Sequence, residues 1–200
     1  GPIPSNQVAV EIHMEQIRRT AKSAKLEVMV GVHNDRMITI IGGVEAIDNP
    51  EVIARPFAGH FGAGTVVTGP IVSTLQEAHA SAQEALSGYR ALSYLTNSPR
   101  VMPAAHLISA RVISGDTSAI EPLVAQLRSS LREDVRQTLA CYLESAPTIE
   151  SCARMLFVHV NTVRYRLKRV LDATGLNPFD PTDALTLRIA IMIERNTPNL

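Results

Sequence analysis

Apolar residues recur along this chain with two periods, and the change from one to the other divides it. Between residues 8 and 25 the apolar positions Val8, Ile12, Ile17 and Ala21 predict a helix. Two strands follow, 27–32 and 36–41, around His33-Asn34-Asp35, whose Asn-Asp pair suits a hairpin. Asn49-Pro50 opens a short helix ending near Phe61, Gly62-Ala63-Gly64 leads into a third strand over 65–71, and Ser73 or Thr74 caps a long helix to about Leu95. Asn97-Ser98-Pro99 ends that helix, and residues 100–102 read as a short further strand. From Ala104 onward the chain is helical: 104–113, 116–129, 131–145, 148–156, 159–173 and 181–195, with breaks at Gly115-Asp116 and Ala146-Pro147. The pattern predicts an α+β sheet domain over 8–103, linking helices over 104–129 and an all-α domain over 130–197.

Composition narrows the setting. The chain has 200 residues, 46% hydrophobic and 19% charged, as in soluble globular proteins, and can bury one large core or two small ones. No apolar run approaches the roughly 18 residues that span a bilayer, and no signal peptide is visible, so a cytoplasmic protein without a membrane partner is expected. The opening Gly1-Pro2 resembles the scar of a cleaved tag; residues 1–7 are expected to be a disordered remnant and the chain a fragment of something longer. Cys141 and Cys152 fall on apolar faces of predicted helices and are expected reduced and buried. Their spacing with His159 matches no metal-ligand pattern, the six histidines form no cluster, and no cofactor is expected.

Charge is where the chain becomes specific. Its formal net charge is zero, yet between 154 and 169 stand Arg154, Arg164, Arg166, Lys168 and Arg169 with no Asp or Glu. Positive charge concentrated on one short helix of a neutral protein addresses a polyanion. On a helix advancing about 100° per residue, Val163, Leu167, Val170 and Leu171 form an apolar stripe. Asn161, Tyr165, Lys168 and Arg169 project from the opposite side, with Arg164 and Arg166 on the flanks. His159 starts the helix, and Asn161 and Thr162 lie in its first turn, where short polar side chains of a recognition helix reach base edges. The basic residues further along suit phosphates. The preceding helix has Thr148 as N-cap, Glu150 in its first turn, and Ile149, Cys152, Ala153 and Leu156 to bury, small Ala153 permitting a close helix crossing. Phe157 occupies the turn where many helix-turn-helix units have Gly, which predicts a turn without positive φ and a Phe157 ring in the core.

The run LFVHVNTVRYRLKRVLDATGLNPFDPTDALTLRIAIMI, with LREDVRQTLACYL upstream, resembles the C-terminal DNA-binding domain of PucR/CdaR-family bacterial transcriptional regulators. The resemblance implies double-stranded operator DNA as partner, a recognition helix at about 159–173, and control of metabolic or catabolic genes. In that family the preceding position is held by a degenerate GGDEF-like domain, and GTVVTGPIVSTLQEAHASAQEAL resembles the strand-and-helix end of one. The family also implies a separate sensor domain ahead of this region, so a small-molecule effector is expected to act through a domain not present here. One recognition helix contacts few base pairs, so a homodimer is expected.

Genuine GGDEF domains make cyclic di-GMP, a phosphoryl transfer that needs carboxylates to hold divalent metal. The hairpin turn that would carry them is His33-Asn34-Asp35, and Gly42-Gly43-Val44-Glu45, which mimics the letters, follows the second strand and lacks the first acid. No enzyme is expected. The alternative to a DNA-binding regulator is a ligand-sensing or protein-interaction module with a vestigial helix-turn-helix.

Overall fold

The computed structural model describes residues 1–3, 6–44, 49–146 and 148–196, and the chain divides into two compact units, Gly1–Asp116 and Thr117–Leu200. Each is described by itself.

The first unit opens with α1 (Gln7–Ser23), N-capped by Asn6, whose side chain accepts from the Ala9 N–H at 2.7 Å. Ile17 and Ala21 are buried, whereas Val8 and Ile12 are exposed. The reason is angular: five residues separate Ile12 from Ile17, about 140° of rotation, so the two apolar pairs lie on different faces. Strands β1 (Glu27–His33) and β2 (Arg36–Gly42) pair antiparallel from Glu27↔Gly42 to His33↔Arg36. Asn34 supplies the left-handed turn residue at φ 55°. Helix α2 (Pro50–Ala58) is capped by Asn49, begins on proline, and ends under Arg100, whose guanidinium donates to the carbonyls of Ala58, Phe61, Gly62 and Gly64.

Strand β3 (Val66–Thr68) pairs parallel with β4 (Val101–Pro103), and α3 (Leu75–Ala91), closed by a Thr74–Glu77 capping box, supplies the crossover a parallel pair requires. The two pairs stand as separate two-stranded sheets among the described residues. Ile17, Val30, Met37, Phe57, Phe61, Val66 and Val101 share one core; Val67, Ala104 and Leu107 form a second beside it. Gly1 exchanges backbone hydrogen bonds with Met37 (2.9 and 3.0 Å), and the Pro2 carbonyl accepts from the Gly62 N–H at 3.0 Å. Gly1 and Pro2, expected within a disordered remnant, pair through their backbone with β2 and with Gly62, and Ile3 packs against the first core.

The helices expected to link the domains divide between the units. Helix α4 (Ile108–Ile113) stays with the first, where the buried Arg111 guanidinium meets Glu84 at 3.2 Å and Asp116 at 3.0 Å. Helix α5 (Glu121–Ser130) belongs to the second and buries Leu123, Val124 and Leu127. The rest of the second unit is α6 (Glu133–Ala140), a wide π turn over Cys141–Ser145, α7 (Ile149–Met155), α8 (Val160–Thr174) and α9 (Pro181–Asn196). Helix α8 packs on α5, α6 and α7, while α9 contributes Leu187, Ala190 and Ile191 to the buried set.

Candidate nucleic-acid interface

Helix α7 begins with a reciprocal Thr148–Ser151 capping box and buries Cys152 and Ala153 completely or nearly so. It ends in a Schellman closure: the Val158 N–H donates to the Ala153 carbonyl at 3.0 Å and the Phe157 N–H to the Arg154 carbonyl at 3.3 Å. This geometry demands a left-handed residue at position 157 whatever its side chain. Phe157 adopts φ 53° and is 95% exposed. The expectation of a turn without positive φ and a core-filling ring is therefore corrected on both counts, because the backbone closure sets the conformation and directs the ring outward. Holding a Cβ-bearing residue there costs about 1 kcal/mol. Phe157→Gly is expected to raise the stability of the second unit by that amount, read as a higher melting temperature; an unchanged or lower value would show that the ring has packing worth more than the strain.

His159 caps α8, its Nδ1 accepting from the Asn161 N–H at 3.1 Å. A bare Nδ1 places the ring proton on Nε2. The helix closes on Gly175 at φ 73°, whose N–H reaches the Leu171 carbonyl at 2.8 Å. Between these caps Val163, Leu167 and Val170 are wholly buried, as the stripe predicted, but Leu171 is 38% exposed. It lies about 80° round the helix from Val163, at the margin of the apolar arc rather than within it.

The other expected contact residues separate into two groups. Asn161, Arg164, Tyr165, Lys168 and Arg169 are exposed on the face opposite the buried stripe, with His159 exposed at the cap and Thr162 half-buried in the first turn. The Arg164 guanidinium donates to Asn161 Oδ1 at 3.3 Å and stands 3.9 Å from Glu150. Among the described residues no carboxylate pairs with Lys168, Arg169 or, on α7, the exposed Arg154. Arg154 counts toward the basic cluster in the sequence but falls outside the period of the recognition helix, which is why periodicity does not mark it as a contact residue.

Arg166 does not join them. Its guanidinium meets Asp134 at 2.8 Å and donates to the Thr138 hydroxyl at 3.1 Å, and its side chain is only 19% exposed. It ties α8 to α6. The signal lies in the spacing: Arg166 sits about 60° from Val163, nearer the stripe than Arg164 at about 100°.

Cys152 and Cys141 are both free thiols. Cys152 has no exposed surface and its Sγ lies 3.8 Å from the Thr138 carbonyl; burial, reinforced by the neighbouring Cys141, pushes its pKa up to about 12.

In the first unit, Asp35 at the hairpin turn is bound by the adjacent Arg36 guanidinium, which also lies 4.4 Å over the Tyr89 ring. Gly42 ends β2, Gly43 takes φ 74°, and Glu45 lies outside the described residues. Among the described residues no three His, Cys, Asp or Glu side chains gather as a metal-holding group, and no helix is long and apolar enough to cross a membrane.

Similarity to known proteins follows the same division. Residues 135–193 match the family described as the PucR C-terminal helix-turn-helix domain, and residues 4–91 match the GGDEF-like domain. Uncharacterized proteins of Mycobacterium tuberculosis and Mycobacterium bovis are 37% identical over 197 residues, which is 96% of this chain and 47% of theirs. The chain thus spans about half the length of these curated relatives. A purine catabolism regulatory protein of Bacillus subtilis is 36% identical over 63 residues, 32% of this chain and 12% of that protein. The crystal structure of a regulator of polyketide synthase expression from Bifidobacterium adolescentis superposes with a TM-score of 0.81 at 27% identity, covering 97% of this chain and 78% of that one.

Proposed function

The chain belongs to the PucR family, joining a GGDEF-like domain to a PucR C-terminal helix-turn-helix domain, and from that premise we propose that it binds operator DNA sequence-specifically to regulate metabolic genes. The observation that carries this reading is the two-sidedness of α8. One face is wholly buried, and the other presents Asn161, Arg164, Tyr165, Lys168 and Arg169 together, with Lys168 and Arg169 unpaired among the described residues. In this assignment Asn161, Thr162 and Tyr165 meet base edges while Arg164, Lys168 and Arg169 meet phosphates. His159 sets the start of the helix and offers its Nε2–H outward. Arg166 moves from contact to positioning, since its guanidinium is engaged with α6.

The protein acts as a cytoplasmic homodimer in this reading, two recognition helices being the route from a few base contacts to useful specificity. Exposed apolar pairs in the first unit, Val8 with Ile12 and Met29 with its cross-strand partner Ile40, are the surfaces that suit such a contact. The GGDEF-like unit is non-catalytic: its hairpin turn offers Asp35 alone, already paired to Arg36. An effector acts through a region beyond this one.

The test is fluorescence anisotropy of a labelled random duplex of about three helical turns, titrated at about 50 and 200 mM salt. Binding that weakens about tenfold or more between the two supports the reading. Absence of binding at the lower salt would refute it and favour an interaction module.

A further inference from the structure

Phe157 is unfavourable in its place on two counts. Of the three non-glycine residues with positive φ among the described residues, Lys25 and Asn34 are polar and stand in turns, and Phe157 is the apolar one. At 95% exposure it is also the most exposed large apolar side chain among the described residues. The closure of α8 shows the unstrained solution: Gly175 takes φ 73° there, with no Cβ to strain and no ring to leave in water. Glycine would close α7 equally well. Nor does the ring serve the core, since α7 buries Cys152 and Ala153, and α8 buries Val163, Leu167 and Val170, without it.

The position of the ring gives it another use. Phe157 stands two residues ahead of the cap His159 and four ahead of Asn161, at the end of α8 that enters the groove in the reading above. A separation of four residues spans at most about 14 Å, the length of about four base-pair steps. The ring and Asn161 therefore address neighbouring base pairs. From Arg154 to Arg164 the chain carries no Asp or Glu, so this segment sets no repelling charge against an approaching phosphate backbone. The Phe157 and Val158 N–H groups, bonded to Arg154 and Ala153 at 3.3 and 3.0 Å, fix the backbone that carries the ring.

Base edges in the major groove present hydrogen-bonding groups and one apolar feature, the C5-methyl of thymine. Resting on the reading of α8 as the recognition helix, we infer that Phe157 is a base-reading residue whose ring packs on a thymine methyl at the edge of the site. The contact takes apolar surface out of water on both partners and requires no hydrogen bond. It therefore adds discrimination without adding charge, in contrast to Arg164, Lys168 and Arg169, which add affinity without discrimination. The left-handed backbone at 157 is what carries the ring outward, so the strain in the turn and the exposed ring have one explanation.

The experiment takes a duplex enriched from a random pool by the parent chain and replaces its thymines one at a time by deoxyuridine. That change keeps the base pair and the O4 acceptor and removes the methyl. The parent is expected to lose about fourfold in affinity at one thymine. Phe157→Gly should bind the unmodified duplex at least as much more weakly, ignore that replacement, and keep the parent's salt slope, because no cation is withdrawn. Relief of the left-handed strain keeps this variant folded, so its weaker binding cannot come from unfolding. Phe157→Leu, still apolar, should retain most of the methyl dependence. The same thymine dependence in the parent and the glycine variant would overturn the proposal. So would equal weakening on both duplexes, the mark of a ring that positions α8 or, where sedimentation shows a smaller species, joins two copies. A parent chain that enriches no duplex and binds none at about 50 mM salt would overturn the recognition reading itself, and this proposal with it.

Discussion

Leu167→Asp unfolds the second unit. Leu167 has no exposed surface, in the centre of the α8 stripe between Val163 and Val170. Removing its buried side chain forfeits about 2–3 kcal/mol of transfer free energy, and the carboxylate left in that apolar stripe is buried without a counter-charge. The combined cost is about 5 kcal/mol or more, comparable to the whole stability of a small domain. Circular dichroism is expected to show loss of the helical signal of Thr117–Leu200 at a temperature where the parent chain is folded, and Val163→Asp should do the same. A variant that melts with the parent would mean that α8 turns a different face to the core, and the assignment of the exposed face to DNA would fall with it.

Replacing Arg164, Lys168 and Arg169 together by Ala abolishes most duplex binding without disturbing the fold. Each cation withdrawn from a phosphate lowers the dependence of log K on log salt by about 0.9, so three should remove close to 3 from the slope and about 10²–10³ in affinity near physiological salt. All three side chains are exposed, and the Arg164–Glu150 pair at 3.9 Å is of the surface kind that adds little to stability. The melting temperature is therefore expected to stay within a degree or two of the parent. Arg166→Ala should behave in the opposite way. It leaves Asp134 with only the exposed Arg132 guanidinium at 3.6 Å and Thr138 without a donor, at a cost of about 1–3 kcal/mol once partial exposure of the pair is allowed for, while the salt slope measured on folded protein stays as it was. A flattened slope with unchanged melting for Arg166→Ala would return that residue to the DNA face.

These two experiments separate what the sequence makes legible from what it does not. The buried faces of α8 and the hairpin are readable because each rests on local periodicity: Val163, Leu167 and Val170 repeat at helical intervals, and Asn34 accepts the left-handed turn. The α+β unit followed by an all-α unit is readable for the same reason. Arg166 at about 60° and Leu171 at about 80° from Val163 both stand at the margin of the apolar arc, where the neighbouring helix decides what is drawn in. Asp134 and Thr138 draw Arg166 inward, and no period encodes them. Phe157 is misread because residue preference competes with backbone closure, and closure prevails. The π turn over Cys141–Ser145 is invisible within a predicted helix over 131–145, since the apolar pattern continues through it. Strand partners are beyond reach: β3 pairs with β4 across a crossover helix, a contact that no local signal specifies.

The depth at which Cys152 sits has a practical consequence. A thiol reacts as its thiolate, so a group with no exposed surface and a pKa near 12 is silent toward alkylating reagents while α7 and α8 stay closed. When they open, the thiol returns to ordinary acidity and is captured. Its labelling rate therefore counts opening events of the helix pair, with half-buried Cys141 as a second reporter in the same chain. A duplex that binds only the closed form would lengthen that interval by a factor of one plus the ratio of free duplex to its Kd. Cys152 would then keep time for an encounter it never touches.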